Sequence, residues 1–323
     1  MIAMQSGSPS MFGTAGPAAH EIAVLGWVLT IISLAVLLVV SLILLAALFR
    51  QRAARAEQPD GVVIRPNGSI TLIVWGGIVI PAIILVCALL FILFVQSAVA
   101  TPPTPPVATI RIVGHRWWWQ VIYTANAPDQ QVVTANEIHV PVGQPVRLEL
   151  ASADVIHSFW VPKLAGKTDV IPGQQNTMWM QADKPGVYWG ECAEYCGLQH
   201  THMNLLVVAQ SPADFRHWLD QQRQPAAPPT DPVTATGERV FARSACAACH
   251  TVGGTTAMGQ IGPDLTHVAS RRTLAAGTLP NTPGNLAGWI ANAQGIKPGN
   301  DMPTMTLPPG DLQVLVAWLE TLQ

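Results

Sequence analysis

Two cysteines and a histidine near the C-terminal end of the chain have the spacing of a covalent haem site. Cys246 and Cys249 stand three residues apart, and His250 follows directly. This C-x-x-C-H pattern is the attachment motif of c-type haem, in which both thiols bond to the haem vinyl groups and the histidine ligates the iron. A zinc site would need two more ligands nearby, and a redox C-x-x-C would need a βαβ context. The sequence offers neither, so we predict one covalently attached haem.

The sixth ligand of the haem iron is expected to be a methionine, because methionine–histidine ligation raises the haem potential. Met258 is too close to His250 in the chain to reach across the ring. Met302 and Met305 are the other candidates. We favour Met302 over Met305, since the segment 297–303 (KPGNDMP) resembles the ligand loop of small bacterial cytochromes c.

The resemblance to these cytochromes covers residues 235–323 and includes the segment 262–265 (GPDL). It implies an all-α class I cytochrome c domain. It also implies that the Pro263 carbonyl accepts a hydrogen bond from the His250 ring and so fixes its orientation. The haem-binding residues implied are Cys246, Cys249, His250 and Met302.

A second group of soft ligands lies upstream. Cys192 and Cys196 stand four residues apart, His200 follows four residues later and Met203 three beyond that, with His157 35 residues upstream of the first cysteine. Thiolate, imidazole and thioether ligands suit copper. Five such ligands suit two copper ions better than one, with the thiolates bridging both. A disulfide between the cysteines is the alternative, but it would not need the histidines or the methionine.

Three further histidines are not predicted to be ligands, because a lone histidine is more often a surface or hydrogen-bonded residue: His115, His139 and His202.

Two long apolar segments precede these motifs. Residues 22–49 and 70–100 contain no charged side chain, and about 20 apolar residues suffice for a helix to cross a bilayer. We predict a transmembrane hairpin with spans at about 22–49 and 70–99. The first span lacks a basic flank before it, so we expect it to be retained rather than cleaved as a signal peptide.

Basic residues between the spans predict the orientation of the hairpin, since positive loops stay in the cytoplasm. The loop contains Arg50, Arg52, Arg55 and Arg65, whereas residues 1–21 contain no lysine or arginine. Both termini are therefore expected outside. Only 11% of all residues are charged and the net charge is −2, which gives no indication of a nucleic-acid partner.

Composition divides the rest of the chain. A proline-rich spacer, 101–106, ends an N-terminal segment of 1–106. Short β-branched or alternating runs punctuated by proline and glycine predict an all-β domain at 107–210. A second linker, 211–234, precedes the domain at 235–323, where apolar residues recur with helical spacing in 236–248 and 310–322.

Residues 20–205 resemble subunit II of haem–copper cytochrome c oxidase. The resemblance rests on 114–119 (GHRWWW), 154–160 (DVIHSFW), 167–173 (KTDVIPG) and the cysteine loop. It implies a cupredoxin domain with a dinuclear copper A centre whose ligands are His157, Cys192, Cys196, His200, Met203 and the carbonyl of Glu194. It also implies that the Glu194 carboxylate binds magnesium at the interface with subunit I, and that electrons arrive through Trp117, for which a core tryptophan is the alternative.

The resemblance therefore implies a multidomain membrane protein that acts as a subunit of cytochrome-c oxidase. Electrons would pass from a cytochrome c donor through haem and copper A to subunit I, which reduces oxygen, with subunit III as a further partner. The expected location is the bacterial inner membrane, with both termini and the metal domains periplasmic. The fused cytochrome resembles the caa-type branch. The family often has a glutamate early in the second span, at the mouth of a proton channel. The segment 72–77 (LIVWGG) lacks a carboxylate, which puts this proton entry in doubt.

Two other functions are compatible with these motifs. A copper-A-containing nitric oxide reductase would use the same relay for a different reaction. A copper carrier for oxidase assembly would not need covalent haem. A quinol oxidase subunit is disfavoured, because that branch lacks the copper ligands present here.

Overall fold

The computed structural model describes residues 10–57, 69–125, 127 and 130–323. The chain forms two compact units, one of residues 20–101 and one that combines the chain up to Ala19 with Pro102–Gln323. Each unit is described by itself below.

The first unit contains the two apolar helices that the sequence predicts. Helix α1 spans Pro17–Glu57, and the second helical segment comprises α2 (Ser69–Val74), a π-helical turn (Trp75–Val79) and α3 (Ile80–Ala100). The segments Pro17–Arg50 and Ile70–Ala100 are long and apolar enough to cross a membrane. Their leucine, isoleucine and valine side chains are mostly exposed, which suits contact with lipid.

The first helix ends later in the chain than the predicted span. Helix α1 continues past the predicted end of the first span to Glu57. Arg65, one of the four loop arginines, lies outside the described residues. The π-helical turn ends just before Pro81, which has no N–H for the carbonyl four residues earlier, so the regular helical bonding is interrupted there.

The residues that follow the second helix confirm the predicted all-β domain. Its described residues form two five-stranded sheets, with the orders β3-β2-β1-β5-β8 and β4-β10-β9-β6-β7. The strands are β1 (Thr109–His115), β2 (Trp118–Tyr123), β3 (Val132–Ala135), β4 (Glu137–Pro141), β5 (Val146–Ser152), β6 (His157–Trp160), β7 (Thr168–Val170), β8 (Asn176–Met180), β9 (Gly186–Cys192) and β10 (Asn204–Gln210).

Alternating side chains of these strands form the core between the sheets, as expected for strands with one buried face. Ile110 and Ile112 in β1 are fully buried, as are Leu148 and Leu150 in β5. Strands β1 and β5 pair in parallel, and so do β4 and β10. The sandwich is thus a rigid frame from whose ends the candidate ligands project.

The segment predicted as a linker, 211–234, contains a helix. Helix α4 (Pro212–Gln222) begins after Ser211, whose hydroxyl caps the N–H of Asp214. Phe215 of this helix is buried in the core of the β domain. The Trp218 ring stacks on the His139 ring, with centroids 3.9 Å apart. The first half of the segment therefore packs on the sandwich.

The C-terminal domain is mainly helical, as predicted. It contains α5 (Pro232–Arg243), α6 (Cys246–Cys249), α7 (Pro283–Ala291), α8 (Ala293–Ile296), α9 (Pro309–Leu319) and a short hairpin of β11 (Thr273–Leu274) with β12 (Leu279–Pro280). Helix α5 starts where the Asp231 carboxylate accepts hydrogen bonds from two backbone N–H groups and Pro232 occupies the first turn. Phe241 of α5 packs on Trp318 of α9, with ring centroids 5.2 Å apart.

Candidate copper and haem centres

The cysteine loop joins β9 to β10 and brings soft ligand atoms together. Cys192 ends β9, and His157 begins the neighbouring strand β6. The distances between ligand atoms are 3.7 Å from Cys192 Sγ to Cys196 Sγ, 3.9 Å from Cys192 Sγ to His157 Nδ1, 3.7 Å from Cys196 Sγ to His200 Nδ1 and 3.9 Å from Cys196 Sγ to Met203 Sδ. All five predicted side chains thus lie in one cluster.

These distances fit metal ions held between the ligands. Bonds of about 2.3 Å to sulfur and about 2.0 Å to nitrogen, meeting at a wide angle, span a little under 4 Å. Both thiols are free, and their sulfur–sulfur distance is far from the bond of about 2.05 Å that a disulfide requires. The carbonyl of Glu194 lies 3.2 Å from Cys192 Sγ, while the Glu194 side chain is exposed.

The two thiols differ in acidity. The hydrogen bond from the Cys196 thiol holds the pKa of Cys192 well below its ordinary value, despite burial, and the contact with His157 acts in the same direction. The same thiol contact, together with burial, raises the pKa of Cys196. One thiolate is therefore available at neutral pH, and thiolates are the metal-binding form of cysteine.

His157 is oriented by the carboxylate of Asp154, a role that the sequence did not predict. Its Nε2 donates to Asp154 Oδ1 at 2.8 Å, which leaves Nδ1 facing the thiol. Asp154 also accepts a 2.6 Å hydrogen bond from the backbone N–H of Arg116. A side chain at Gly114 would be 2.8 Å from the His157 ring, so the glycine leaves room for the imidazole. In the sequence, the only indication of this contact is that an acidic residue stands three positions before the histidine.

The three histidines not expected to be ligands have other contacts. His115 stacks on Trp118 with centroids 4.5 Å apart. His139 Nε2 bonds to Glu137 at 2.9 Å, and His202 Nδ1 bonds to the amide oxygen of Gln199 at 2.8 Å.

The C-terminal domain contains an apolar cavity at its C-x-x-C-H motif. Counting the part that opens to solvent, the empty space is about 1350 Å³, which is ample for a large planar ligand. The predicted haem-binding residues Cys246, Cys249, His250 and Met302 line it, together with Met305. Met258 is exposed. Two hydrogen bonds fix the backbone of Met302, one from its N–H to Asn300 and one from Gln294 to its carbonyl.

The His250 ring is fixed as the resemblance implies. Its Nδ1 donates to the Pro263 carbonyl at 2.7 Å, so Nε2 is free to face an iron. A Cβ at Gly262 would be 2.5 Å from the ring, and only glycine allows this approach. Burial lowers the pKa of His250, which favours the neutral form that binds metals.

A partly buried cation at the cavity is incompletely paired. One Arg271 guanidinium nitrogen donates to the Asp264 carbonyl, but Arg271 Nε, among the described residues, is buried with no hydrogen-bond partner. Buried donors normally have an acceptor, and a guanidinium pairs best with a carboxylate. Haem carries carboxylates on an apolar ring, so the cavity fits it.

Trp117 lies between the two centres. Its side chain is buried, and its indole Nε1 donates to the Cys196 carbonyl at 2.9 Å. The same residue lines the haem cavity with its neighbours Arg116 and Trp118. Trp117 is thus a packed core residue and, at the same time, a direct contact between the cysteine loop and the cavity.

Comparison with known proteins matches both domains. Residues 125–210 match the family model described as "Cytochrome C oxidase subunit II, periplasmic domain", and residues 234–323 match "Cytochrome c". The chain is 35% identical over 307 residues to "Cytochrome c oxidase subunit 2" of Alkalihalophilus pseudofirmus, an alignment that covers 91% of this chain and 86% of that protein. The chain belongs to the cytochrome c oxidase subunit 2 family.

Other relatives align with less of this chain. The Bacillus subtilis protein of the same name is 28% identical, and the alignment covers 62% of this chain and 57% of that protein. The crystal structure of the periplasmic domain of subunit II of cytochrome oxidase (CoxB) of Bradyrhizobium japonicum covers 37% of this chain and 96% of that one, at 28% identity and a TM-score of 0.35. The family assignment confirms the resemblance drawn from the cysteine loop, and the C-terminal match confirms the fused cytochrome domain.

Proposed function

We propose that this chain is subunit II of a respiratory cytochrome c oxidase and passes electrons from a periplasmic cytochrome c through covalent haem and dinuclear copper A to subunit I. When bound, these groups supply reversible one-electron chemistry. The observation that supports the proposal best is the position of Trp117, which lines the haem cavity and donates a hydrogen bond to Cys196. A single side chain thereby connects the two ligand clusters.

The protein's own residues have positioning roles in this proposal. Cys246 and Cys249 would anchor the haem, and His250 and Met302 would ligate its iron. The copper ions would be held by His157, Cys192, Cys196, His200, Met203 and the carbonyl of Glu194. Strands β6, β9 and β10 fix these ligands on a rigid frame, so little rearrangement is needed when the charge on the metals changes.

The proposal includes further assignments. The exposed carboxylate of Glu194 suits a magnesium ion at the interface with subunit I, since its carbonyl faces the thiols and its side chain points outward. Subunit III is a further partner. We place the chain in the bacterial inner membrane, with two spans and with both termini and the metal domains in the periplasm.

Metal and haem analysis of the full chain, purified in detergent after maturation, tests the proposal. We expect two copper ions and one covalent haem per chain. Cys196→Ser should reduce the copper content to one ion or none while the haem stays attached. Cys249→Ser should reduce the covalently attached haem while the copper content stays at two ions. Finding a single copper ion in the unmodified chain would refute the dinuclear centre. A nitric-oxide-reducing partner that co-purifies would favour the alternative reaction.

A further inference from the structure

One lysine of the cytochrome domain is buried against the copper domain. Lys297 is the only lysine between residues 211 and 323, and it is only 3% exposed. Its Nζ donates to three backbone carbonyls, at 2.6 Å to Trp117, 2.7 Å to His202 and 3.1 Å to Ala275. The first two belong to the copper domain and the third to the cytochrome domain. Lysine is rarely buried without partners, so this side chain makes a specific contact between the domains.

The three acceptors match the chemistry of an ammonium group. A protonated lysine has three N–H donors, whereas the neutral amine has two. Burial lowers the pKa of Lys297 to about 7. Without the lysine, the carbonyls of Trp117 and His202 would lose their charged donor in a buried site, and unpaired buried acceptors are unfavourable. The Ala275 carbonyl would keep its hydrogen bond from the Thr278 hydroxyl.

The residues after Lys297 extend the same contact, and we call residues 297–299 the docking strip. The Pro298 carbonyl accepts a 2.8 Å hydrogen bond from the Gln199 side chain. Gly299 lies beside Leu198 and the Trp117 ring, where an added Cβ would be 3.4 Å from the leucine and 3.7 Å from the ring. The strip thus touches the cysteine loop on one side and Trp117 on the other.

The docking strip is adjacent in the chain to ligands of both centres. Lys297 precedes Met302 by five residues, and His202 directly precedes Met203. Movement at the ammonium group would therefore displace both ligand loops relative to Trp117. Interactions across such a contact depend strongly on small displacements.

We propose that Lys297 is a positioning residue that holds the haem cavity against Trp117 and so sets the rate of electron transfer between the two centres. The effect on the electron-transfer rate depends on the proposed function, whereas the docking of the two domains by Lys297 does not. Because two of its three acceptors lie in the other domain, the ammonium group cannot serve only the fold of the cytochrome domain. Because it is buried, it is not a surface charge for steering a donor.

The variant Lys297→Met in the full chain tests the proposal, since methionine keeps an unbranched apolar side chain and deletes the charge and the donors. The matched control is Lys184→Met, because Lys184 is exposed. At pH 6, where Lys297 is charged, backbone hydrogen exchange around Trp117 and 198–203 should accelerate about tenfold or more in Lys297→Met. Exchange in β5 should not change, and the control should match the unmodified chain at every site.

The second measurement follows electron transfer in the full chain with its haem and copper, after flash reduction of the haem. Lys297→Met should slow transfer to copper by about tenfold or more and make it dependent on solvent viscosity, because docking would then limit the rate. Haem and copper content should stay unchanged. Unaltered exchange together with an unaltered rate would overturn the proposal.

Amine labelling of the unmodified chain provides a test that needs no folded variant. Of the four lysines in the sequence, Lys297 should react at least about tenfold more slowly than Lys184, since labelling requires opening of the docked state. Equal labelling of both would refute the docking. An unmodified chain without copper or haem would instead refute the proposed function, and the exchange and labelling results would still decide the role of Lys297.

Discussion

The carboxylate of Glu137 in the copper domain accepts a 3.0 Å hydrogen bond from the backbone N–H of Arg272 in the cytochrome domain. Its other oxygen pairs with His139 at 2.9 Å. This buried carboxylate is therefore a second contact between the domains. Unlike the docking strip, it carries a negative charge that acid can remove.

Acid is expected to weaken this contact. Burial would raise the pKa of Glu137, but the hydrogen bond and charge of His139, with help from Arg272, hold it below the ordinary value of 4.5. A carboxyl whose folded pKa is depressed stabilises the fold above its unfolded pKa, and this stabilisation is lost as pH falls below about 4.5. Glu137→Gln should lower the free energy of unfolding at pH 7 by about 2 kcal/mol. It should also make the loss of stability at acid pH smaller than in the unmodified chain.

Thermal unfolding of the full chain between pH 3.5 and 7 checks this prediction. Glu149→Gln is the control, because Glu149 forms a half-exposed pair with Arg147 at 3.5 Å, and such pairs contribute about 0–1 kcal/mol. If Glu137→Gln and the unmodified chain lose the same amount of stability between pH 7 and pH 3.5, the pH dependence belongs to other groups.

Removing the indole N–H of Trp117 should slow electron transfer more than it destabilises the fold. Trp117→Phe keeps an aromatic ring in the core but loses the hydrogen bond to the Cys196 carbonyl, for a cost of about 1 kcal/mol. Flash reduction of the haem should show transfer to copper slowed by about tenfold, because the contact between the cysteine loop and the cavity is loosened. The control is Trp179→Phe, a buried tryptophan of β8. Equal rates in the two variants would show that Trp117 is only a core residue.

The ligand sets could be predicted from the sequence because their members are close together in the chain. Cys196, His200 and Met203 lie in the loop that follows Cys192, the last residue of β9, so spacing alone indicates a shared site. His157 lies in a neighbouring strand, and the family resemblance rather than the spacing connected it to the loop. Asp154 was missed because a carboxylate near a histidine is common, and only the folded position of the ring shows which nitrogen it contacts.

Domain docking could not be predicted from local patterns. Lys297 and Trp117 are 180 residues apart, and nothing in the spacing of either residue indicates the other. Likewise, helix α4 lies in a segment with proline at both ends that looked like a linker. Its burial depends on Phe215 meeting a sandwich surface formed by distant strands. Such contacts arise from tertiary packing, which overrides local composition.

The two methionines at the haem cavity should differ in their effect on the haem. Met302→Ala should abolish the weak sulfur–iron absorption band and lower the haem potential, because loss of a methionine ligand removes the feature that raises it. The haem should stay attached through Cys246 and Cys249. Met305→Ala should change neither property. Met302 is the better candidate because two hydrogen bonds hold its backbone. The opposite result for the two variants would assign the sixth ligand to Met305.

Deletion of the cytochrome domain should reveal the order of the relay. A chain that ends at Gln224 keeps the sandwich core and helix α4 but exposes Trp117, which the docking strip otherwise covers. Copper content should remain two ions. Oxidation of a soluble cytochrome should then become slower or more salt-dependent, because transfer would require random encounter instead of a docked haem, whose effective concentration is on the order of mM. Stopped-flow reduction of the intact chain by a cytochrome donor should show haem reduced before copper. If copper is reduced first and deletion leaves the rate unchanged, donors meet the copper domain directly and the haem is a side branch.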